Sequence, residues 1–302
     1  MNWKKNILEK LEALGHGFFY LTLKLFGLRG GYILLGLVIL VYTLCSFRIR
    51  RAIRPYLLLR FPGIGRWRRL CHTFLNLYSF GKVLVERAWL GRTGKNAHSS
   101  AIRGRFLENE RLFQEIEKGK GLVLLTAHVG NWQYAFVNLQ RLPTKVNVLM
   151  RYDENAVAKH YFDHQGNEKP FEIIDVQGGF GGMVDALAAL HRGEVVTIMG
   201  DRFTKGSGRK IPFLGKMAQF PDSAYLLAAS AGAPVAVVFA AQVGNNEYQL
   251  KIWDLFYPQF ASRNNRDTML EDCTRRFGRA LETYLAFYPH QWYNFYDFWD
   301  QS

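Results

Sequence analysis

The chain places a histidine where it could perform acid–base chemistry. His128 stands within residues 124–136, LLTAHVGNWQYAF, where an apolar run breaks at a Gly-Asn pair. An imidazole titrates near neutral pH, so it can take a proton from a nucleophile and later return it. Five residues on stands Gln133, an amide where a histidine–acid pair would have a carboxylate. His128 is therefore the candidate general base, and Gln133 is its candidate orienting partner.

The five-residue spacing restricts how these two side chains can meet. Residues five apart on one helix point about 140° away from each other, because each residue turns the helix by ~100°. They can converge if residues 121–127, GLVLLTA, form a buried strand that ends at His128. Asn131 would then be a suitable N-cap for a helix that begins just before Gln133, and it is also a candidate substrate-binding residue. The alternative is a buried histidine bonded to a main-chain carbonyl, and the spacing leaves both open.

Three charged residues at the ends of other apolar runs are further candidates. Asp201 and Arg202 follow the strand-like segment VVTIMG, and Arg151 ends VNVLMR. Ligands of α/β proteins bind at the carboxyl edge of the sheet, where these residues would emerge with His128. Arg202 could bind a phosphate by bidentate hydrogen bonds, although an ordinary surface ion pair would explain it too. Arg151 is a candidate contact for an acceptor headgroup. No metal site is predicted.

The elements that must position these residues follow an alternating pattern. Runs rich in β-branched residues predict strands at 121–127, 146–151, 171–176, 195–201, 234–243 and 248–254. Helical patterns fall at 182–193, 222–233 and about 268–287. Alternating strands and helices predict an α/β fold with a mixed central sheet flanked by helices.

The positive charge of the chain is concentrated at its beginning. The formal net charge is +14, and residues 1–69 hold 13 Lys and Arg against two acidic residues, a net of +11. The other 233 residues hold 26 basic and 23 acidic residues, a net of +3. The cations flank apolar runs, an arrangement that favours a membrane surface over nucleic acid as the partner.

A long uncharged run predicts how the chain meets the membrane. Residues 30–47, GGYILLGLVILVYTLCSF, carry no charge, and 18 helical residues span roughly 27 Å. We predict an N-terminal hydrophobic membrane-anchor helix that either spans the bilayer or enters one leaflet as a hairpin. A buried core helix and a cleaved signal peptide are the alternatives. Residues 1–66 would form the membrane-associated arm and 67–302 the α/β domain, and the arginines after Phe47 favour a cytoplasmic body.

Four segments in order resemble one known superfamily. AHVGNWQ resembles the His-x4-acid block of the lysophospholipid acyltransferase superfamily, and most nearly that of the late acyltransferases of lipid A biosynthesis. VVTIMGDRF is similar to an Asp-containing strand end of that family. The segment IPFLGKMAQF is similar to its Pro-Phe-x-Gly block, and YPHQWYNFYDFW resembles the tail of a bacterial subgroup of predicted acyltransferases.

The resemblance implies a membrane-bound enzyme of the bacterial inner membrane, with its catalytic domain on the cytoplasmic face. It would move a fatty acyl chain from acyl carrier protein or coenzyme A to a hydroxyl or amine of a lipid A-like or other membrane lipid. His128 would act as general base without a covalent acyl-enzyme, and no cofactor is implied beyond the thioester co-substrate. Phe213 and Gly215 of IPFLG would border the cleft, although a core role for Phe213 is equally compatible with the sequence.

Gln133 is where the chain departs from the family pattern. The family glutamate would hold the imidazole and stabilise its positive charge, whereas an amide supplies a hydrogen-bond acceptor without charge. Another carboxylate, such as Asp201, could substitute; the enzyme could work with a weaker dyad; or the protein could have lost catalysis. The last outcome defines the alternative function, a catalytically silent membrane protein that binds lipid or acyl carrier protein on the same scaffold.

Overall fold

The computed structural model describes residues 2–93, 103–131, 142–150, 171–175, 181–202, 208–260 and 265–300. Between residues 2 and 93 it describes the side chains of residues 17–89.

Helices dominate the N-terminal quarter of the chain, and strands and helices alternate after it. The described helices are α1 (Asn2–Cys45), α2 (Phe47–Arg60), α3 (Arg66–Thr93), α4 (Asn109–Glu117), α5 (Gly181–His191), α6 (Ser223–Ala231) and α7 (Arg266–Phe287). The described strands are β1 (Arg103–Phe106), β2 (Leu122–Thr126), β3 (Val146–Met150), β4 (Glu172–Asp175), β5 (Val195–Met199), β6 (Gly208–Phe213), β7 (Lys216–Pro221), β8 (Val235–Gly244) and β9 (Glu247–Phe256). The six predicted strands and three predicted helices of the domain are all present.

The central sheet has seven strands in the order β1-β9-β8-β2-β5-β3-β4. Neighbouring strands are parallel except for β8 and β9, which form an antiparallel pair. The predicted α/β fold with a mixed sheet is confirmed. Because β2 and β5 are adjacent and parallel, the residues that follow them emerge at the same edge.

Both faces of the sheet are covered, which explains why its central strands read as continuous apolar runs. On one face Val123 and Leu125 pack in a cluster with Phe277 of α7 and with residues of α5 and α6. On the other face Leu124 packs in a cluster with Leu112 of α4. All five residues of β2 are buried, so the end of this strand is held rigidly.

A separate hairpin of β6 and β7 was not predicted. Residues 208–210, for which the sequence analysis predicted no strand, belong to β6. Ile211 and Phe213 alternate inward with exposed neighbours, the period-2 signal of a strand. The turn between the strands is Leu214-Gly215, with φ of 50° and 82°, and two such left-handed residues match the twist of a tight hairpin.

The predicted N-terminal apolar helix is also present. Residues 17–45 form a stretch of α1 that is long and apolar enough to cross a membrane, with a non-helical kink at Gly27. One side of this helix packs on the body, where Leu23 and Leu28 join a cluster with Val85 and Tyr248. The opposite side exposes large apolar residues to the surroundings: Phe18, Leu21, Leu25, Phe26, Ile33, Leu37, Val38, Val41 and Leu44.

Candidate active site

The segment after β2 is fixed by main-chain hydrogen bonds to the C-terminal tail. The amide of Val129 donates to the carbonyl of Ala127 at 2.7 Å, which makes His128 the apex of a tight turn. The carbonyl of His128 accepts from the amide of Tyr293 at 2.8 Å, and Val129 forms an antiparallel bridge with Trp292. The tail therefore holds His128 in place.

Gly130 meets a steric requirement of this turn. Its φ is 50°, a left-handed conformation that L side chains rarely adopt. A Cβ atom there would overlap the main-chain carbonyl of Ala240 in β8. The glycine of the HVGN segment thus allows the chain to cross closely over the sheet.

The structure brings His128 and Asp201 together. Thr126 of β2 is paired with Met199 of β5, so His128 and Asp201 each follow a paired residue by two positions. Nδ1 of His128 lies 2.8 Å from Oδ1 of Asp201. The main-chain N–H of His128 also donates to Oδ2 of the same carboxylate at 3.0 Å. One aspartate therefore fixes both the ring and the backbone of the histidine.

Asp201 is buried, yet its surroundings keep it ionised. Burial alone would raise its pKa, but the charge and the ring hydrogen bond of His128, the charge of Arg202 and a hydrogen bond from Trp292 together lower the pKa to about 2. The Trp292 indole N–H donates to Oδ2 at 2.9 Å. A group that is negative at neutral pH thus lies against the imidazole.

The imidazole itself is accessible. The side chain of His128 is 27% exposed, and that of Asp201 is 1% exposed. Nδ1 contacts the carboxylate, while Nε2 has no hydrogen-bond partner among the described residues. With the proton on Nδ1, Nε2 is free to accept a proton from an incoming hydroxyl or amine. This arrangement can perform general-base chemistry.

Asn131 is buried and takes part in a polar cluster that the sequence did not reveal. Its side-chain amide donates to Oε2 of Glu86 at 3.0 Å. The hydroxyl of Tyr32 donates to Oε1 of Glu86 at 2.7 Å, and the hydroxyl of Tyr248 donates to Oε2. Glu86 is the first acidic residue after Glu12, and this isolation from other acidic residues is the signal that could have identified it.

Arg202 lies next to the pair and contacts the tail. Its guanidinium carbon is 4.9 Å from the ring centroid of Tyr296, and Nη2 donates to the carbonyl of Tyr293 at 3.3 Å. The side chain is half-buried, so the structure orients it without burying its charge completely. A phosphate-binding role stays a prediction.

Phe213 and Gly215 occupy different environments in the β6–β7 hairpin. Phe213 is fully buried, and its ring packs edge-on against Trp292 at a centroid distance of 5.6 Å. This is the environment of a core residue, one of the two roles that the sequence allowed. Gly215 lies in the exposed turn, where its positive φ accounts for a glycine. Their substrate-binding roles stay predictions.

The aromatic tail closes the core, and its contact with Asp201 was missed by sequence reasoning. Trp292 and Phe298 are buried, and their rings lie 5.2 Å apart in an edge-on contact. The density of aromatic residues in QWYNFYDFW is typical of a core segment, but no local pattern indicates which ring will reach a carboxylate 91 residues away.

Two predicted site residues, Gln133 and Arg151, lie outside the described residues. Their roles, as orienting partner and as headgroup contact, stay predictions.

Comparison with known proteins identifies a matching family and a related enzyme. Residues 74–300 match the family described as bacterial lipid A biosynthesis acyltransferase. The phosphatidylinositol mannoside acyltransferase of Mycolicibacterium smegmatis is 23% identical over 190 residues, which cover 62% of this chain and 59% of that protein. The match thus spans about three fifths of the length of this curated relative.

A solved structure shows a more distant likeness. The 1-acyl-sn-glycerophosphate acyltransferase PlsC of Thermotoga maritima superposes with a TM-score of 0.38 at 13% identity, over 83% of this chain and 98% of that one. The likeness is too weak to support an argument. The family match spans 227 of the 302 residues and includes His128 and Asp201. This chain belongs to the bacterial lipid A biosynthesis acyltransferase family.

Proposed function

We propose that this protein is a membrane-bound acyltransferase that moves a fatty acyl chain from a thioester to a membrane lipid. The donor would be acyl carrier protein or coenzyme A, and the acceptor a hydroxyl or amine of a lipid A-like or other lipid. Membership of the family supports acyl transfer to a lipid. The observation on which the proposal rests is the 2.8 Å contact between the partly exposed His128 ring and the buried Asp201 carboxylate.

The proposed reaction is a single transfer assisted by the histidine. Nε2 of His128 takes the proton from the acceptor hydroxyl or amine while the acceptor's oxygen or nitrogen attacks the thioester carbonyl. The new acyl bond forms as the carbon–sulfur bond breaks, and the proton passes from the imidazolium to the leaving thiolate. Asp201 stabilises the imidazolium, because its charge lies against Nδ1 throughout the step.

Asp201 could also take the place of the carboxylate that the family has at the position of Gln133. A buried, ionised group already holds Nδ1, so a second carboxylate at residue 133 is not needed to orient the ring. This supports the first of the three outcomes that the sequence left open, substitution by Asp201. It argues against a silent protein, because an ionised carboxylate buried behind a partly exposed imidazole is the arrangement that general-base catalysis uses.

The remaining site residues are proposed to bind substrate. Arg202 lies beside Asp201 and is the proposed contact for a phosphate of donor or acceptor. Arg151 would bind the acceptor headgroup, and Phe213 and Gly215 would border the acyl groove. Asn131, held by Glu86, would shape the loop that carries His128.

The apolar helix supports placement at a membrane. Residues 17–45 would anchor the protein in the bacterial inner membrane, and the arginines that follow them would keep the catalytic domain on the cytoplasmic face. At that location the enzyme could reach a lipid acceptor that remains in the bilayer.

The test is acyl transfer by the purified full-length protein in detergent, with acyl carrier protein and coenzyme A thioesters as separate donors. His128→Ala is expected to lower kcat by roughly 10²–10⁴-fold, the usual contribution of a general base. The control is His191→Ala, since His191 is an exposed residue in the last turn of α5.

Equal transfer by wild type and His128→Ala would refute the proposed mechanism. Absence of transfer by the wild type with either thioester, together with retained lipid binding, would favour the silent binding protein. Mass spectrometry of lipids from cells with and without the protein would identify acceptor and chain length together.

A further inference from the structure

A cavity of about 580 Å³ lies where the first three helices meet, and none of its lining residues belongs to the His128–Asp201 pair. It is lined by the end of α1, the first half of α2 and the beginning of α3. We propose that this cavity binds the phosphate of an anionic membrane phospholipid, at a site separate from that of the acyl acceptor. The proposal does not depend on acyl transfer.

Four arginines supply the charge for this phosphate. Arg51 and Arg54 line the cavity from α2, and Arg66 and Arg69 line it from α3. Each pair has i, i+3 spacing, which places both side chains on one side of their helix. Two helices therefore each contribute two arginines to the lining of one cavity, and guanidinium groups are suited to binding the several oxygens of a phosphate.

No carboxylate among the described residues forms a salt bridge with any of these four arginines. The sequence gives the reason, because no Asp or Glu occurs between Glu12 and Glu86. Like charges that share a cavity repel each other, so an anion bound between them would be stabilised. The pattern contrasts with the body, where Arg209 lies within 3.1 Å of Asp222 and Arg276 also pairs with an aspartate.

A fifth arginine of the cavity has a structural role. Nη1 of Arg50 donates to the carbonyl of Thr43 at 2.8 Å and also to that of Leu44. These carbonyls belong to the last turn of α1, where main-chain acceptors lack helical partners. Arg50 therefore caps α1 and fixes the cavity next to the end of the apolar helix.

The rim of the cavity indicates a lipid as the occupant. Trp67 is 78% exposed, Phe47 is 68% exposed and Leu44 is 52% exposed. Large apolar side chains beside arginines, at the end of a helix that can cross a membrane, match the preferences of the membrane interface. Lipid would cover these side chains while its phosphate met the guanidinium groups. An acidic protein surface would pair with the arginines, but it would place polar groups against the exposed rings of Trp67 and Phe47.

The experiment measures binding of phosphatidylglycerol and of phosphatidylcholine with identical chains to the full-length protein in nonionic detergent micelles. Native mass spectrometry counts the bound lipid as its concentration is raised. The variant Arg54→Gln/Arg69→Gln is expected to weaken phosphatidylglycerol binding at least about tenfold, since each surface cation contributes substantially to anionic-lipid binding. Arg54→Lys/Arg69→Lys, which keeps the charge, is expected to retain most of it.

The matched control is Arg103→Gln/Arg105→Gln, which removes the same charge from two exposed residues of β1. It is expected to bind phosphatidylglycerol as the wild type does, and His128→Ala is expected to do the same whether or not it transfers acyl chains. Equal losses in the two double glutamine variants, or equal binding of the two lipids by wild type, would overturn the proposal. The proposal would also be overturned if inorganic phosphate alone displaced phosphatidylglycerol. The same holds if Arg54→Gln/Arg69→Gln lost binding of acyl carrier protein while its lipid binding stayed intact.

Discussion

Two buried carboxyl groups lie beside the loop that carries His128, and they differ in what surrounds them. Asp201 is 1% exposed and contacts the His128 ring and the Trp292 indole. Glu86 is fully buried and accepts hydrogen bonds from Asn131 and two tyrosines. One carboxyl contacts a group that can be charged, and the other contacts neutral donors.

Because their partners differ, the pKa values of the two carboxyl groups are shifted in opposite directions. Burial raises the pKa of both carboxyls, since a charge is less stable away from water. For Asp201 the charge and the ring hydrogen bond of His128, the charge of Arg202 and the hydrogen bond from Trp292 together outweigh burial, and the pKa falls to about 2. For Glu86 the hydrogen bonds from Tyr248, Tyr32 and Asn131 and the charge of Lys82 offset burial only in part, so the pKa remains raised. Neutral hydrogen bonds hold a buried carboxyl in place, whereas a close cation keeps it ionised.

Among variants of the two carboxyl groups, the largest effect is expected for Asp201→Asn. An amide cannot stabilise the imidazolium and can hold the ring in the wrong tautomer, so kcat should fall by about 10³–10⁴-fold. Steady-state acyl transfer in detergent measures this. The control is Asp222→Asn, which removes another buried aspartate that pairs with Arg209 away from His128. A loss of activity no greater than that of the control would show that Asp201 only supports the fold.

For Glu86 the expected effect is on stability. Glu86→Ala leaves Asn131 and Tyr248 without their buried acceptor, which should lower the free energy of unfolding by about 2–4 kcal/mol. Glu86→Gln keeps the shape of the side chain and one acceptor oxygen. It should lower the free energy of unfolding by less than about 1 kcal/mol and reduce kcat only slightly. Chemical denaturation in detergent measures both variants. A large loss of activity in folded Glu86→Gln would mean that this carboxyl must carry charge.

The pH dependence of stability is expected to have opposite signs for the two groups. The pKa of Asp201 is about 2 against an ordinary 3.8, so its ionised form stabilises the fold by about 2 kcal/mol above about pH 4, and this is lost as the pH falls to 2. The pKa of Glu86 lies above its ordinary 4.5, so its contribution diminishes as the pH rises beyond that value.

Unfolding free energies measured across this pH range, in wild type and two variants, test the signs. Asp201→Asn should flatten the acid side of the profile, and Glu86→Gln should flatten the decline above about pH 4.5. Identical slopes in wild type and both variants would contradict the contrast between the two carboxyls.

The smallest effect is expected for Gln133→Glu. Asp201 already contacts Nδ1 of His128, so a new carboxylate at residue 133 is not needed to hold that nitrogen. We expect kcat to stay within about threefold of wild type, the range of a substitution that changes no catalytic contact. A rise of about 100-fold or more would show that the dyad is incomplete and that the family carboxylate supplies what Asp201 does not.

Much of the fold could be predicted because its central strands are buried on both faces. Residues 122–126 and 195–199 read as apolar runs for that reason, and α5, α6 and α7 follow from helical patterns closed by glycine or proline. The hairpin of β6 and β7 was missed because its inward residues alternate with Arg, Lys and Pro, and two glycines precede Arg209. Its period-2 pattern is present but short.

The sequence by itself determined the ends of β2 and β5, and with them the edge at which His128 and Asp201 emerge. It also determined the family, because four ordered segments survive as recognisable motifs. Only the tertiary structure decided which groups touch. Asp201 is 73 residues from His128, Glu86 is 45 residues from Asn131, and Trp292 is 91 residues from Asp201. Local patterns predict strands and helices from neighbouring residues, whereas these contacts depend on strand register and on how the tail packs across the sheet edge.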